Sequence, residues 1–154
     1  ALRLSARTMR LQRPALMLAA LWWGGITALS FLAVPTLFAT LGNPAVAGPV
    51  AAKLFSLQCQ AGLVIGLVLL ILVRQGGPSP MARTALALVC VAMALAVLQE
   101  YGVAQKIVSA RASGGDLRLW HGAGSALVLG QWLCSGALLW CLGRPRPVGG
   151  DQPA

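Results

Sequence analysis

The sequence predicts an all-α protein, an integral membrane bundle of four transmembrane helices with both termini in the cytoplasm. Four apolar runs occupy most of the 154 residues; hydrophobic residues make up 58% of the chain and charged residues 10%. Each run is longer than the ~20 apolar residues that a helix needs to cross a bilayer core. The composition therefore indicates that lipid, rather than water, surrounds most of the chain.

The first two apolar runs predict spans at about residues 14–41 and 45–73. Residues 1–13 are basic and form a predicted cytoplasmic tail. Because the first run is too long for the apolar part of a signal peptide, we expect it to be retained as a helix. Pro14 suits the first turn of that helix, and Pro35 is expected to kink it near its other end.

The last two runs predict spans at about residues 81–105 and 117–142, so the membrane domain covers residues 14–142. A Gly-Gly-Pro-Ser-Pro sequence separates the second and third spans, because glycine pairs and prolines interrupt helices. Asp116 is a predicted N-cap of the fourth span. Residues 143–154 are rich in Pro and Gly, and we predict a disordered cytoplasmic tail.

Basic residues are distributed unevenly between the two ends of such a bundle. The net charge is +9, but these residues lie between and outside the apolar runs rather than on one face, so nucleic acid is not a predicted partner. The end with both termini holds eight of them, namely Arg3, Arg7, Arg10, Arg13, Arg74, Arg83, Arg144 and Arg146. The other end holds Lys53, Lys106, Arg111 and Arg118. The excess predicts that both termini are cytoplasmic.

A few polar residues inside the spans define the candidate site. Lys53 and Gln60 lie in the second span, Glu100 in the third, and His121 and Ser125 in the fourth. All lie toward the helix ends opposite the termini, so we expect them to be at similar depth. Titratable side chains are costly in hydrocarbon and usually face a bundle interior or a watery cavity. We therefore predict that these five residues bind a ligand in an outward-facing polar pocket.

Two interpretations remain open for Glu100 and for His121. Glu100 is either a helix-end carboxylate that a basic residue of the third connection neutralises, or an acid that handles protons or cations. His121 is either a structural first-turn histidine or a group that shares a proton with Glu100.

Recognisable catalytic and cofactor-binding patterns are missing from the sequence. The four cysteines have no CxxC spacing, and no strand with a G-x-S-x-G elbow is present. The methionines lie too far along the helices from His121 to share a haem iron with it. We predict no catalytic residue, no cofactor and no metal site.

Small residues at four-residue spacing predict close helix contacts. Gly62 and Gly66 form a GxxxG step in the second span, and Gly122, Ala126 and Gly130 repeat the spacing in the fourth. Such positions let helix backbones approach closely in lipid. They serve either packing within the chain or assembly into a homodimer or a larger membrane complex.

Several short motifs resemble a known family. They are LWWGG in the first span, PTLF at residues 35–38, AGPVAAKLF at residues 47–55, and His121 with Ser125 in the fourth span. In these motifs the chain resembles a bacterial domain-of-unknown-function family that is similar to human transmembrane protein 205. The resemblance implies a four-helix membrane protein with polar residues near one face and no established activity. Members often carry an Asn where this chain has Val128, which argues against a fixed hydrogen-bond network below Ser125.

Two functional hypotheses follow from these features. The first is a small membrane protein, surrounded by lipid, that binds or transports a small solute or ion through the polar pocket. The second is a non-catalytic interaction or assembly subunit that uses its small-residue faces. An enzyme is a third hypothesis, but no nucleophile, base and orienting group can be assembled from these residues.

Overall fold

Helices account for nearly all of the part of the chain that the structure describes. The computed structural model describes the backbone of residues 2–144 and the side chains of residues 11–144. The elements are α1 (Leu2–Ala28), a π-helical turn (Leu29–Ala33), α2 (Val34–Leu41), α3 (Pro44–Gln75), α4 (Pro80–Val97), a π-helical segment (Leu98–Val103), α5 (Ala104–Ser113) and α6 (Leu117–Gly143). All of these elements are helical, in agreement with the all-α prediction.

Four continuous helical rods in the described residues are long and apolar enough to cross a membrane, as predicted. We refer to them as span 1 (Leu11–Leu41), span 2 (Pro44–Gln75), span 3 (Pro80–Ser113) and span 4 (Leu117–Gly143). Spans 1 and 3 each pack against spans 2 and 4, so the four form a ring. We call the end with the turns at 42–43 and 114–116 the two-turn end, and the end with the turn at 76–79 the one-turn end.

Two helix boundaries differ from those expected. The first helix begins at Leu2, so Pro14 lies inside it rather than in its first turn. The third rod continues to Ser113 instead of ending near residue 105. In both places, Ala, Arg, Gln, Lys and Leu favour helix although the segment is too polar to be read as part of a span. The predicted tail at 143–154 lies outside the described residues beyond Arg144.

Local turn chemistry explains where the rods end. Gly42 and Gly114 adopt left-handed φ angles of 62° and 74° just after Leu41 and Ser113. Asn43, Ser79 and Asp116 then cap the next helices with their side-chain oxygens, each accepting a backbone N–H within 3.0 Å. The predicted N-cap at Asp116 is confirmed.

The expected disturbance at Pro35 takes the form of a π-helical turn. Proline has no N–H and its ring crowds the carbonyl four residues earlier. The turn at Leu29–Ala33 directly precedes this region, and the Val34 N–H bonds to the carbonyl of Leu29, five residues back. Span 1 therefore continues through the proline as a helix, with one widened turn.

The hydrophobic core is concentrated toward the one-turn end. Its largest side chains are Trp22, Ile26, Leu69, Val89 and Leu138, each at most 2% exposed. Small residues bring the spans together around this core. A Cβ atom on Gly62 would lie 2.7 Å from Nε1 of Trp22, and one on Gly66 would lie 2.7 Å from Sδ of Met93. The GxxxG step of span 2 therefore packs against spans 1 and 3 of the same chain.

The small residues of span 4 are used differently along its length. A Cβ atom on Gly130 would lie 2.9 Å from Leu95, so this glycine packs against span 3. A Cβ atom on Gly122 would meet nothing within 4 Å in the described residues, and Ala126 is exposed. Of the three small residues predicted as one stripe, Gly130 therefore packs against another span, whereas Gly122 and Ala126 leave an open face.

Replacing Gly62 by Ala is expected to destabilise the bundle by about 1–3 kcal/mol, because the added methyl group collides with the rigid, buried indole of Trp22. Denaturant unfolding in mild detergent measures the change. Gly122→Ala is the matched control, since its methyl group enters open space and alanine favours helix. Equal effects of the two substitutions would contradict the packing described for span 2.

Candidate functional site

Glu100, the acidic residue inside span 3, accepts a hydrogen bond from a hydroxyl group of the neighbouring span 2. Oγ of Ser56 donates a hydrogen bond of 2.6 Å to Oε1 of Glu100. Nε2 of Gln60 lies 3.4 Å from the same Ser56 oxygen, which is a long and weak contact. We call Ser56, Gln60 and Glu100 the carboxylate cluster. It joins spans 2 and 3.

The backbone around Glu100 is unusual for a transmembrane helix. Glu100 lies in the π-helical segment Leu98–Val103, where the Ala104 N–H bonds to the carbonyl of Gln99, five residues earlier. π-Helical turns inside α-helices are rare and often occur at functional sites. No proline accounts for this segment, in contrast to the turn in span 1. The widened turn sets the direction in which the Glu100 side chain leaves span 3.

The carboxylate cluster lies well inside the rods. Ser56 is twelve residues from the first residue of span 2, and Glu100 is thirteen residues from the last residue of span 3. At 1.5 Å per residue, both are about 20 Å from the two-turn end. The nearest lysines toward that end are Lys53, about 5 Å above Ser56 along its helix, and Lys106, about 9 Å above Glu100. The cluster is therefore one or two turns below the first charged residues.

Two of the basic residues that could neutralise Glu100, Lys106 and Arg111, make other contacts. Nζ of Lys106 lies 6.0 Å from the ring centre of Trp120. The guanidinium of Arg111 covers Gly48, where an added Cβ would lie 2.6 Å from Nη2. Lys53 is exposed one turn above Ser56. Among the described side chains, the hydrogen bond to the Glu100 carboxylate comes from the Ser56 hydroxyl and no ion pair is found.

A buried amide pair lies beside the carboxylate cluster, and sequence reasoning missed it. Nε2 of Gln131 donates to Oε1 of Gln99 at 2.6 Å. The two residues are 1% and 7% exposed, and Oε1 of Gln131 has no partner in the described residues. Both amide atoms of Gln58 are also buried without a partner there. Glutamines inside apolar runs were the available signal, but uncharged residues do not stand out by composition.

His121 and Ser125 are not part of the carboxylate cluster. His121 is ten residues nearer the two-turn end than Gln131, which pairs with the residue next to Glu100. That separation corresponds to about 15 Å along span 4. The expected equal depth of Glu100 and His121 is therefore wrong, because span 3 runs on as a helix beyond the predicted end and places Glu100 deeper.

Both span 4 residues are exposed in the isolated chain. The Ser125 hydroxyl donates to the backbone carbonyl of His121 at 3.0 Å, within its own helix. Of the five residues predicted to line one pocket, the structure brings Glu100 and Gln60 together through Ser56, and leaves Lys53 one turn away. His121 and Ser125 lie elsewhere. Among residues 11–144, no group of three or more His, Cys, Asp or Glu side chains could hold a metal ion.

Comparison with known protein families identifies the family of this chain. Residues 17–116 match the family described as Domain of unknown function (DUF4149). The chain belongs to this family. The matched segment contains spans 2 and 3, most of span 1 and the whole carboxylate cluster, and ends at the N-cap of span 4. Searches of curated proteins and of solved structures found no match.

The hydrogen bond between Ser56 and Glu100 is expected to contribute about 0.5–1.5 kcal/mol of coupling energy. A double-mutant cycle of Ser56→Ala and Glu100→Ala, measured by unfolding in mild detergent, isolates this energy. Ser109→Ala replaces Ser56→Ala in the control cycle, because the Ser109 hydroxyl bonds to the Lys106 carbonyl of its own helix. Additive effects in both cycles would contradict the assigned contact.

Proposed function

We propose that this protein is a membrane-embedded binding protein that takes up a proton or a small cation at Glu100. The observation that carries the proposal is a carboxylate inside an apolar span with a hydroxyl partner, Ser56, and no ion pair among the described side chains. An ionised carboxylate is costly in hydrocarbon unless a positive charge compensates it. A proton or a cation supplies that compensation reversibly.

The chemistry of the carboxylate cluster suits either ligand. A protonated Glu100 loses its charge and keeps its contact with the Ser56 oxygen, because a hydroxyl both donates and accepts. A hard cation prefers oxygen ligands, and the carboxylate, the Ser56 hydroxyl and the Gln60 amide oxygen are oxygen donors on adjoining spans. Binding of a proton and binding of a cation are then alternatives at one carboxylate.

The ligand would reach Glu100 from the two-turn end. Lys53 and Lys106 lie one or two turns above the cluster on that side, and lysine side chains near helix ends extend their charge to the membrane surface. Toward the one-turn end, the rods instead continue into the apolar core around Leu69 and Val89. If the ligand also left at the one-turn end, the protein would be a transporter rather than a binding protein.

The orientation of the chain and the membrane that contains it are also proposed. Eight basic residues at the end with the termini against four at the other support cytoplasmic termini in a bacterial inner membrane. A C-terminal tag that is digested in spheroplasts without permeabilisation would overturn this orientation. The motifs LWWGG, PTLF and AGPVAAKLF support kinship with the bacterial relatives of human transmembrane protein 205, which an alignment of homologues would test.

Glu100→Gln is expected to abolish a carboxyl signal that depends on pH or on cations. The chain has three acidic side chains, Glu100, Asp116 and Asp151, so infrared difference spectra of the protein in lipid vesicles are simple to assign. We expect the parent and Asp151→Asn to show a band that is missing from Glu100→Gln.

The cation form of the proposal has a separate measurement. A cation at one hundred times its Kd stabilises the parent by about 2.7 kcal/mol, and Glu100→Gln should lose this gain. Unfolding in sodium, potassium and a bulky organic cation at equal ionic strength separates binding from screening. If the parent shows neither a Glu100 band that responds to pH nor a stabilisation by cations, the proposed function is wrong.

A second candidate function, assembly with another membrane helix, is favoured by the free small-residue face of span 4. Gly62 and Gly66 are occupied inside the chain, whereas Gly122 meets nothing within 4 Å in the described residues and Ala126 is exposed. Small residues on a lipid-facing helix permit close contact with a partner helix.

Ala126→Leu is expected to reduce self-association, or association with a co-purified protein, by at least tenfold if this face is an interface. Native mass spectrometry from mild detergent measures the assembly. Ala87→Leu, at an exposed alanine of span 3, is the matched control. A parent protein that is monomeric and carries no partner at all concentrations would contradict the second candidate.

A further inference from the structure

One face of span 4 changes its surroundings along the helix. Near the middle of the rod, Nε1 of Trp132 donates to Oγ1 of Thr27 at 2.9 Å. One turn farther from the two-turn end, an added Cβ on Gly136 would lie 2.9 Å from Trp23. This face therefore packs against span 1. Helical periodicity continues the same face through Val128 and Ser125 to His121.

Span 1 does not follow this face toward the two-turn end. Beyond its π-helical turn, α2 packs against α3, and α2 and α6 do not make a comparable contact in the described residues. No residue of Leu29–Leu41 is buried, and α6 has no buried residue before Gln131. Spans 1 and 4 therefore diverge toward the two-turn end and leave the facing sides of α2 and the first half of α6 uncovered. We call this gap, which is open to the lipid, the cleft.

The floor of the cleft is aromatic. The rings of Trp23 and Trp132 are 5.7 Å apart between centroids, and Phe31 meets Trp132 edge to face at 6.2 Å. The hydrogen bond from Trp132 to Thr27 satisfies the indole, so the floor presents apolar surface. From His121 at the rim to Trp132 at the floor, eleven residues correspond to about 16 Å. This length matches about half of a ~30 Å bilayer core, the hydrocarbon of one leaflet.

The rim of the cleft is basic. Arg118 and His121 lie in the first turns of span 4 and are exposed. The acidic residue at this end, Asp116, uses one carboxylate oxygen to cap Leu119. An apolar cleft one leaflet deep, with the Arg118 guanidinium and the His121 imidazole at its rim, matches an acyl chain with a phosphate head group.

We propose that the cleft between α2 and the first half of α6 binds one anionic phospholipid of the surrounding leaflet. An acyl chain lies along Val128 and Ser125 down to Trp132, and the phosphate pairs with Arg118 and His121. This site is separate from the carboxylate cluster, which lies between spans 2 and 3. It gives His121 and Ser125 a ligand-binding role that does not depend on Glu100.

Native mass spectrometry of delipidated protein in mild detergent tests the proposal. We expect phosphatidylglycerol to bind at least tenfold more tightly than phosphatidylcholine with the same acyl chains. Arg118→Gln should reduce this preference at least threefold, and Ser125→Trp, which fills the cleft, should remove binding of both lipids. Leu133→Trp, at a position 56% exposed on another face of span 4, is the matched control and should bind as the parent does.

Three outcomes would overturn the proposal. They are equal affinity of the parent for the two lipids, unchanged binding after both Arg118→Gln and Ser125→Trp, and displacement of phosphatidylglycerol by inorganic phosphate, which would indicate a site for free phosphate. If circular dichroism shows that Ser125→Trp does not fold, Arg118→Gln alone decides, because an exposed arginine at a helix start is not needed for packing.

Discussion

Hydrocarbon supplies no hydrogen bonds, and this constraint governs every polar group in the bundle. Each backbone N–H and carbonyl inside the membrane must find a partner within the chain, which is why the described spans are continuous helices. Even Pro35 is accommodated by a π-helical turn with five-residue hydrogen bonds rather than by a break. Several side chains follow the same rule: Ser56 donates to Glu100, Gln131 to Gln99 and Trp132 to Thr27. The amide group of Gln58 is an exception, because both of its polar atoms are buried without a partner in the described residues.

The spans, their turns and the Asp116 cap could be predicted because hydropathy and capping depend on local sequence. The depth of Glu100 could not, since the segment after residue 104 has the composition of a loop but the propensity of a helix. The pairing of Gln99 with Gln131 was also beyond local reasoning. It depends on the register between spans 3 and 4, which packing around Gly130 and Leu95 fixes.

The five residues predicted as one pocket belong to two regions on different sides of the ring. The carboxylate cluster lies between spans 2 and 3 and contains a half-buried carboxyl group. His121 and Ser125 lie on the face of span 4 that α2 leaves uncovered, where the π-helical turn ends the contact between spans 1 and 4. One chain thus combines a tightly packed half, built on glycines against indoles, with a looser half that carries most of its polar chemistry.

The lengths of spans 2 and 3 bear on the membrane that suits this protein. Their 32 and 34 residues measure about 48 and 51 Å, well above the ~30 Å of a hydrocarbon core. The distance between basic residues is more revealing, since Lys53 and Arg74 are 21 residues apart, about 31 Å, and Arg83 and Lys106 are about 35 Å apart. A bilayer of much thinner core would have to thicken around these two helices or tilt them. Bilayer thickness therefore determines how far the Glu100 carboxylate lies from water.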